Sequence, residues 1–343
     1  VIGWFVVIPL INFFGANSVF APASAPVSEL GAWGIWSTYI RYVGAGAVAT
    51  GGIISLIKSF PTIVRTFKKA MSGFGHKIDS EERTNCDLPM KGLLILALAI
   101  IVVIWLIPAI PVGLLGAIII VIFGFFFATV SSRMVGLVGS SNNPVSGMGI
   151  ATLLIATALL KSTGHTGIAG MTSAICVGTI ICIIAAMAGD MSQDLKTGYI
   201  VGATPRNQQI GELIGCIVSA LAIGGIMYLL DAAWGYGSKE LPAPQATLMK
   251  LVVEGVMGGS LPWILVLAGV GIAIGIEIIG IPVLPVAIGV YLPIHLSTPI
   301  FVGGLLRAFF DRKGDEGKAI TERGVLYVSG LIAGEGLVGI LLA

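Results

Sequence analysis

The scarcity of charge along most of this chain constrains its fold more than any other feature. The 343 residues include 36 charged side chains, and 20 of these fall in two short segments, residues 58–91 and 307–323. The other 292 positions carry only 16 charges, whereas about one residue in four is charged in a soluble domain. Water cannot solvate so apolar a surface, so the sequence predicts an integral membrane protein.

The apolar residues form continuous runs that are long enough to cross a bilayer. A transmembrane helix needs about 20 apolar residues, whereas a transmembrane strand alternates apolar and polar residues over about ten. We therefore predict an all-α polytopic membrane protein, a bundle of about 9–10 transmembrane helices with broken or re-entrant segments. The predicted spans are residues 1–20, 39–57, 92–109, 112–130, 166–188, 210–230, 260–280, 283–306 and 324–343, with 145–160 as a half-helix or a tenth span.

The basic residues set the expected orientation. Segment 58–91 holds seven Lys and Arg residues and segment 307–323 holds five, and such excesses are typical of cytoplasmic loops. We predict both segments as cytoplasmic loops of a single membrane domain, residues 1–343, with a polar loop at 189–209. An even number of crossings must separate them, so either 145–160 is re-entrant or 245–259 also enters the membrane. The chain begins and ends inside apolar runs, so we expect a fragment.

Prolines interrupt the apolar runs near the C-terminal end. The stretch 280–285 separates two runs, and Pro293 and Pro299 are predicted to break the second run. A proline removes a main-chain donor, and in lipid the freed carbonyls are tolerated only against protein or a water-filled cavity. Because Ser297 and Thr298 lie beside these breaks, we favour a polar cavity over simple proline kinks.

The most polar stretch outside the charged segments lies between two spans. It contains Asp190, Asp194, Lys196, Arg206 and Glu212. The two aspartates would share one face of a helix, and the lysine could neutralise one of them. This pattern fits a proton relay, which uses buried or paired carboxylates. The alternative is an ordered loop whose charges simply pair.

Two further carboxylates fall inside predicted spans. Glu277 and Glu335 would each have to be protonated, paired or facing water, because a charge in lipid is costly. Gly271 and Gly275 form a small-xxx-small pair, which is typical of a helix-packing face.

Several function classes lack their sequence signals. The net charge of +2 gives no basic surface for nucleic acid. The four cysteines form no CxxC pair, and the three histidines have no metal-ligand spacing, so we predict no metal site and no cofactor. No Walker loop occurs, which excludes an ATP site of this chain's own. We predict no catalytic residues.

Blocks of sequence from about residue 140 to the end resemble the oligopeptide transporter family, in its prokaryotic version near the yellow stripe-like branch. The blocks appear in order along the chain. They are Asn143–Gly147, Gly189–Tyr199, Gly202–Arg206, Gln208–Glu212, Pro244–Lys250, Gly280–Pro282, Tyr291–Pro293, Ser297–Phe301, Arg323–Tyr327 and Ser329–Gly336.

The resemblance implies a secondary transporter in the prokaryotic inner (plasma) membrane that couples solute uptake to proton entry. This chain would be its C-terminal part, with further N-terminal spans as its partner in the same polypeptide. Family substrates are oligopeptides, peptide-like compounds and metal complexes of siderophore-like or nicotianamine-like chelators. Importing a metal chelate is therefore the alternative function, and an intramembrane enzyme or a passive channel are less favoured.

The candidate site residues follow from these arguments. The candidates for a substrate path are Asn143, Ser146, Gln193, Gln245, Tyr291, Ser297 and Thr298. The candidates for proton coupling or charge balance are Asp190, Asp194, Lys196, Glu212, Glu277 and Glu335.

Overall fold

The computed structural model describes residues 3–73, 82–139, 145–238, 240–258 and 262–343. Within these ranges the regular structure is helical, and no strand occurs. The α-helices are α1 Ile8–Gly15, α2 Val27–Ile35, α3 Arg41–Gly73, α4 Met90–Leu106, α5 Leu114–Val138, α6 Val145–Ser162, α7 Gly167–Val201, α8 Pro205–Trp234, α9 Pro244–Met257, α10 Trp263–Ile278, α11 Val283–Tyr291, α12 Ile294–Asp311 and α13 Asp315–Leu342. Two π-helical turns, Gly3–Val7 and Trp36–Ile40, and a 3-10 turn, Arg83–Asn85, complete the set.

Five of these helices are long and apolar enough to cross a membrane. Judged by length and composition, they are Arg83–Leu106, Leu114–Gly136, Gly167–Val201, Pro205–Trp234 and Asp315–Leu342. Shorter apolar helices occur at Gly3–Gly15, Met148–Ser162 and Trp263–Ile278. The predicted class, an all-α polytopic membrane protein, is therefore confirmed.

The described parts of the three segments predicted as loops are largely helical. Helix α3 extends to Gly73, α7 runs to Val201 through the polar block, and α12 and α13 leave only residues 312–314 between them. Charged and amide side chains such as Lys, Arg, Glu and Gln are good helix formers. A run of charge therefore ends the apolar part of a span without ending the helix.

The two prolines of the last interrupted run behave differently. Leu292, which precedes Pro293, is extended with φ −69° and ψ 143°, so α11 ends at Tyr291 and α12 begins after the proline. A proline ring disfavours helical conformation in the residue before it, which explains this break. The second predicted break was wrong, because α12 continues through Pro299. The Thr298 hydroxyl donates to the Ile294 carbonyl at 2.8 Å just before it.

The chain divides into two compact units, and α3, α8 and α9 each have residues in both. The first unit comprises Val1–Val48, Ala220–Thr247 and Pro262–Ala343, and the second comprises Ala49–Ser219 and Leu248–Leu261. In the second unit, α5, α6 and α7 bury a shared core around Ile120, Met148 and Val177. The Ser192 hydroxyl on α7 also donates to the Ser132 carbonyl on α5 at 2.6 Å. Serines of this kind hold helices together where lipid offers no partner.

In the first unit, α3 and α10 cross with their backbones in contact. A Cβ added at Gly269 would overlap the Val43 carbonyl, and one added at Gly46 would overlap the Val266 carbonyl. Gly271 and Gly275, the predicted packing pair, make no such close contact. Apart from the backbone of its own helix, a Cβ built at either glycine would have no described atom within 4 Å. Both of the glycines at the crossing are therefore needed for this close approach.

We expect Gly269→Ala to lower the thermal unfolding midpoint of the purified protein in detergent. The added methyl must push the α3 backbone away, which corresponds to about 1–3 kcal/mol of lost stability. Gly271→Ala is the matched control in the same helix, and it should leave the midpoint unchanged or raise it slightly through better helix propensity. Equal midpoints for the two variants would contradict the crossing described here.

Candidate functional site

The polar block of the sequence forms the junction between α7 and α8, inside the second unit. Helix α7 ends where Gly202 adopts the left-handed conformation, with φ 74° and ψ 29°, which favours glycine. The Ala203 amide donates to the Gly198 carbonyl at 2.8 Å. Pro205 then begins α8. The first N–H groups of a helix have no partner within the helix, so the missing N–H of this proline costs no hydrogen bond. This turn brings the end of α7 beside the start of α8.

Two carboxyl groups interact across this turn. The Gln208 Nε2 donates to the Asp194 main-chain carbonyl at 2.7 Å and to the Asp194 carboxylate Oδ2 at 2.8 Å. Glu212 follows Gln208 by four residues, so it shares the same face of α8, and its carboxyl is close enough to that of Asp194 to repel it electrostatically. Both Glu212 carboxyl oxygens are buried and have no hydrogen-bond partner in the described part of the chain.

Gly198 makes this arrangement sterically allowed. It is buried on α7 four residues after Asp194, and a Cβ at this position would overlap the Gln208 side-chain amide. Only glycine lets that amide lie against the α7 backbone and reach the Asp194 carboxylate. The close approach therefore lets Gln208 on α8 bond to Asp194 on α7.

The 3-10 turn before α4 clamps the α7–α8 turn from outside. The Arg83 guanidinium donates through Nη2 to the Gly202 carbonyl at 2.8 Å and through Nη1 to the Thr204 hydroxyl at 2.7 Å. The Gly202 carbonyl lies at the C-terminal end of α7, where the helix dipole favours a positive charge. Arg83 therefore caps α7 with a residue more than 100 positions earlier in the chain.

A second set of hydrogen bonds joins the same segment to the first turns of α8. The Arg206 amide donates to the Cys86 carbonyl at 2.9 Å. The Gln209 side chain accepts from the Leu88 amide at 2.9 Å and donates to the Asp87 carboxylate at 3.0 Å. These bonds satisfy main-chain groups at a helix start that has few partners of its own.

We expect Arg83→Ala to loosen this clamp without unfolding the second unit. Loss of the two guanidinium bonds should let the Arg206 amide exchange its hydrogen about tenfold faster, since a hydrogen bond to a charged group stabilises by about 1.5–3 kcal/mol. Hydrogen–deuterium exchange of the peptide that covers residues 202–209 measures this change. Lys91→Ala, an exposed cation at the start of α4, is the control and should leave the exchange unaltered. Unchanged exchange in Arg83→Ala would contradict the clamp.

Three other polar candidates lie on α7. Asp190, Gln193 and Lys196 all have exposed side chains, as Asp194 does too. The Lys196 ammonium, which was expected to neutralise an aspartate, lies over the Tyr199 ring, 5.1 Å from the centroid. A cation on an aromatic face gains energy from the ring's electron density without ion pairing.

The remaining acidic candidates lie in the first unit. Glu277 is half-buried near the end of α10, and Glu335 is exposed on α13. Neither residue therefore belongs to the unit that holds the Asp194–Glu212 pair.

The break between α11 and α12 gathers part of the predicted substrate path. The buried Tyr291 hydroxyl donates to the Pro244 carbonyl at 2.7 Å, directly before Gln245, which is exposed. The Ser297 hydroxyl is buried and donates to the Pro293 carbonyl at 3.0 Å. Thr298 follows it on the exposed side of α12.

Two candidates cannot be placed in the same way. Asn143 lies outside the described residues, and Ser146 is described only through its backbone, in the first turn of α6.

Two cavities of the first unit are lined mainly by apolar side chains. The larger has a volume of about 990 Å³ and lies among α1, α10 and α11, with Ile11, Leu265 and Val286 in its wall. The smaller has a volume of about 510 Å³ and is lined by Ser297 together with Val290 and Phe301. Among the predicted path residues, Ser297 is the one that reaches either of these two walls.

Sequence reasoning missed the residues that build the carboxyl pair. Gln208, Gly198 and Arg83 carry no signal of their own, since an amide, a glycine and a loop cation are common. For Gln208 and Gly198, the i, i+4 spacing was an available signal. It puts Gln208 and Glu212 on one face of α8, and Asp194 and Gly198 on one face of α7.

A polytopic helical membrane protein with helices broken at prolines, and with an acid pair at the start of an apolar helix, has the architecture of a membrane transporter. The sequence profile of the OPT oligopeptide transporter protein family matches residues 1–343. The chain belongs to this family.

Curated relatives fall into two groups by name. A protein of Haemophilus influenzae, provisionally named an oligopeptide transporter, is 32% identical over 397 aligned positions, which cover 100% of this chain and 62% of the relative. A protein of Arabidopsis thaliana, provisionally named metal-nicotianamine transporter YSL5, is 32% identical over 191 positions, or 49% of this chain and 26% of the relative. A Saccharomyces cerevisiae protein, provisionally named an oligopeptide transporter, is 26% identical over 77% of this chain and 38% of its own length. No solved structure matches.

Proposed function

We propose that this chain is part of a secondary active transporter that carries oligopeptides or peptide-like compounds across a prokaryotic inner membrane together with protons. Membership of the oligopeptide transporter family supports transport. The relative that aligns with the whole chain is named for oligopeptides, which supports the substrate class.

The observation that carries the proton coupling is the pair formed by Asp194 and Glu212. Their carboxyl groups face each other within a helix hairpin, where the buried Glu212 oxygens find no donor in the described residues and can form a hydrogen bond with Asp194 only if one carboxyl group is protonated. Asp194 is exposed and Glu212 half-buried, and two like charges held close together repel each other until a shared proton removes the repulsion. Taking up a proton from one side of the membrane and releasing it to the other would couple the pair to a gradient.

The second candidate function is the import of metal chelates on the same scaffold. It is supported by relatives named metal-nicotianamine transporters, which align with up to 49% of this chain. A chelate brings its own metal ligands, so this function needs no cluster of metal-binding side chains in the protein.

The substrate class is tested with the whole protein in proteoliposomes that contain a pH-sensitive dye. We expect tri- to pentapeptide mixtures to acidify the lumen, because each peptide would enter with protons. The same concentration of an iron–chelator complex is added to a second sample. Acidification by the chelate alone would transfer the assignment to metal import. A folded protein that responds to neither would contradict proton-coupled import of both classes. Peptide entry without acidification would indicate a passive path.

We expect Asp194→Asn and Glu212→Gln each to reduce peptide-driven acidification at least tenfold. Both changes preserve side-chain size and remove a proton-binding group. Exchange of labelled for unlabelled peptide across the membrane needs no net proton movement, so it should continue in both variants.

The control is Asp311→Asn, which removes an exposed carboxylate that pairs with Arg307 on α12. It should acidify the lumen at the wild-type rate. Wild-type acidification in both pair variants would instead make Asp194 and Glu212 structural residues. Loss of exchange along with acidification would mean that the pair serves substrate binding or folding.

A further inference from the structure

A cluster of aromatic rings occupies the first unit beside the break between α11 and α12. The rings of Trp4, Trp33 and Trp36 lie within 6 Å of one another, with centroid separations of 5.9 Å for Trp4–Trp36 and 5.0 Å for Trp33–Trp36. The His295 ring stacks on Trp33 at 6.2 Å, with an angle of 20° between the planes. His295 is the second residue of α12, so these four rings, the aromatic cluster, border the helix break.

Two of these tryptophans are held by π-helical turns. Trp4 belongs to the turn Gly3–Val7 and Trp36 to the turn Trp36–Ile40. The two turns pack together, because a Cβ at Gly3 would lie 3.8 Å from the Ile40 side chain. Single π turns are rare and occur often at functional sites, where they redirect a side chain.

The aromatic cluster contains hydrogen-bond donors without acceptors. The indole Nε1 of Trp4 and that of Trp36 are buried and have no hydrogen-bond partner in the described part of the chain. The Trp36 side chain is thoroughly enclosed, since the residue is only 7% exposed. Buried donors in proteins are almost always paired. Two such indoles in one ring cluster are therefore donors to which the described residues offer no acceptor.

Arg41, which directly follows the turn Trp36–Ile40, adds a positive charge. Its amide donates to the Trp36 carbonyl, which closes the second π turn. Its Nε is also buried without an acceptor, and no carboxylate pairs with its guanidinium among the described residues. The guanidinium lies over the Tyr42 ring at 5.5 Å and is close enough to Tyr291 to act on its hydroxyl electrostatically. Arg41 is therefore an uncompensated cation beside the helix break.

We propose that Arg41 and the indole N–H groups of Trp4 and Trp36 bind a carboxylate of the transported solute, while the rings of the aromatic cluster pack against the rest of it. A guanidinium and several N–H donors suit a carboxylate, which accepts up to four hydrogen bonds. The proposal rests on the proposed function, because a peptide supplies this group at its C-terminus. It assigns the solute's acidic end to the first unit, and it is independent of the proton-coupling pair.

The test is equilibrium binding of labelled trialanine to the whole protein, purified in detergent, with trialanine C-terminal amide as the competitor. We expect the amide to compete at least tenfold more weakly than unlabelled trialanine, because it lacks the carboxylate. This comparison uses the wild-type protein, so it does not depend on the folding of a variant. It also needs no proton gradient.

Variants then assign the carboxylate to its partners. Arg41→Gln should weaken trialanine binding at least tenfold while leaving the affinity for the amide unchanged, so that the preference for the acid disappears. Trp36→Phe, which keeps a ring and removes the N–H, should reduce that preference by a smaller factor. Arg307→Gln is the matched control, since this exposed arginine of the same unit already pairs with Asp311.

The outcomes distinguish a failure of this site from a failure of the peptide function. Equal binding of acid and amide by the wild type, or an acid preference that survives in Arg41→Gln, would overturn the carboxylate site and leave peptide transport standing. A folded wild-type protein that binds neither peptide would overturn the peptide function and this site together.

Discussion

The structure depends on the requirement that main-chain N–H and C=O groups find partners inside the protein, because lipid offers none. Helices meet this requirement within one segment, so the chain remains helical even where charges interrupt the apolar runs. At two helix ends, nearby groups supply the missing hydrogen bonds. At the end of α7 a left-handed glycine, a proline and the Arg83 guanidinium satisfy the free groups. At Pro293, the buried carbonyl accepts from the Leu296 and Ser297 amides and also from the Ser297 hydroxyl.

The same poor solvation gives buried polar side chains their importance. A carboxylate that would be ordinary in water must be neutralised, paired or wetted at the start of an apolar helix. The Asp194–Glu212 interaction is therefore unfavourable as two charges and is held in place by Gln208 and by the absence of a side chain at Gly198. A site that is strained in one protonation state and relaxed in the other is a physical basis for coupling to protons.

The two proposed sites lie in different units. The second unit holds the acid pair, and the first holds Arg41 with the aromatic cluster at a broken helix. Secondary transporters place their solute sites at discontinuous helices, where helix ends and unpaired main-chain groups are available to a ligand.

The sequence by itself determined the class, the family resemblance and nearly every helix, because hydrophobic run length and proline placement are local properties. The helix break at Pro293 follows from one residue's effect on its neighbour. Tertiary structure decided which residues meet. The sequence predicted Gly271 and Gly275 as a packing face, yet the crossing uses Gly46 and Gly269, because the rotation of α10 against α3 depends on the whole unit. Asp194 and Glu212 were predicted as separate candidates, and only the turn at Gly202 brings them together.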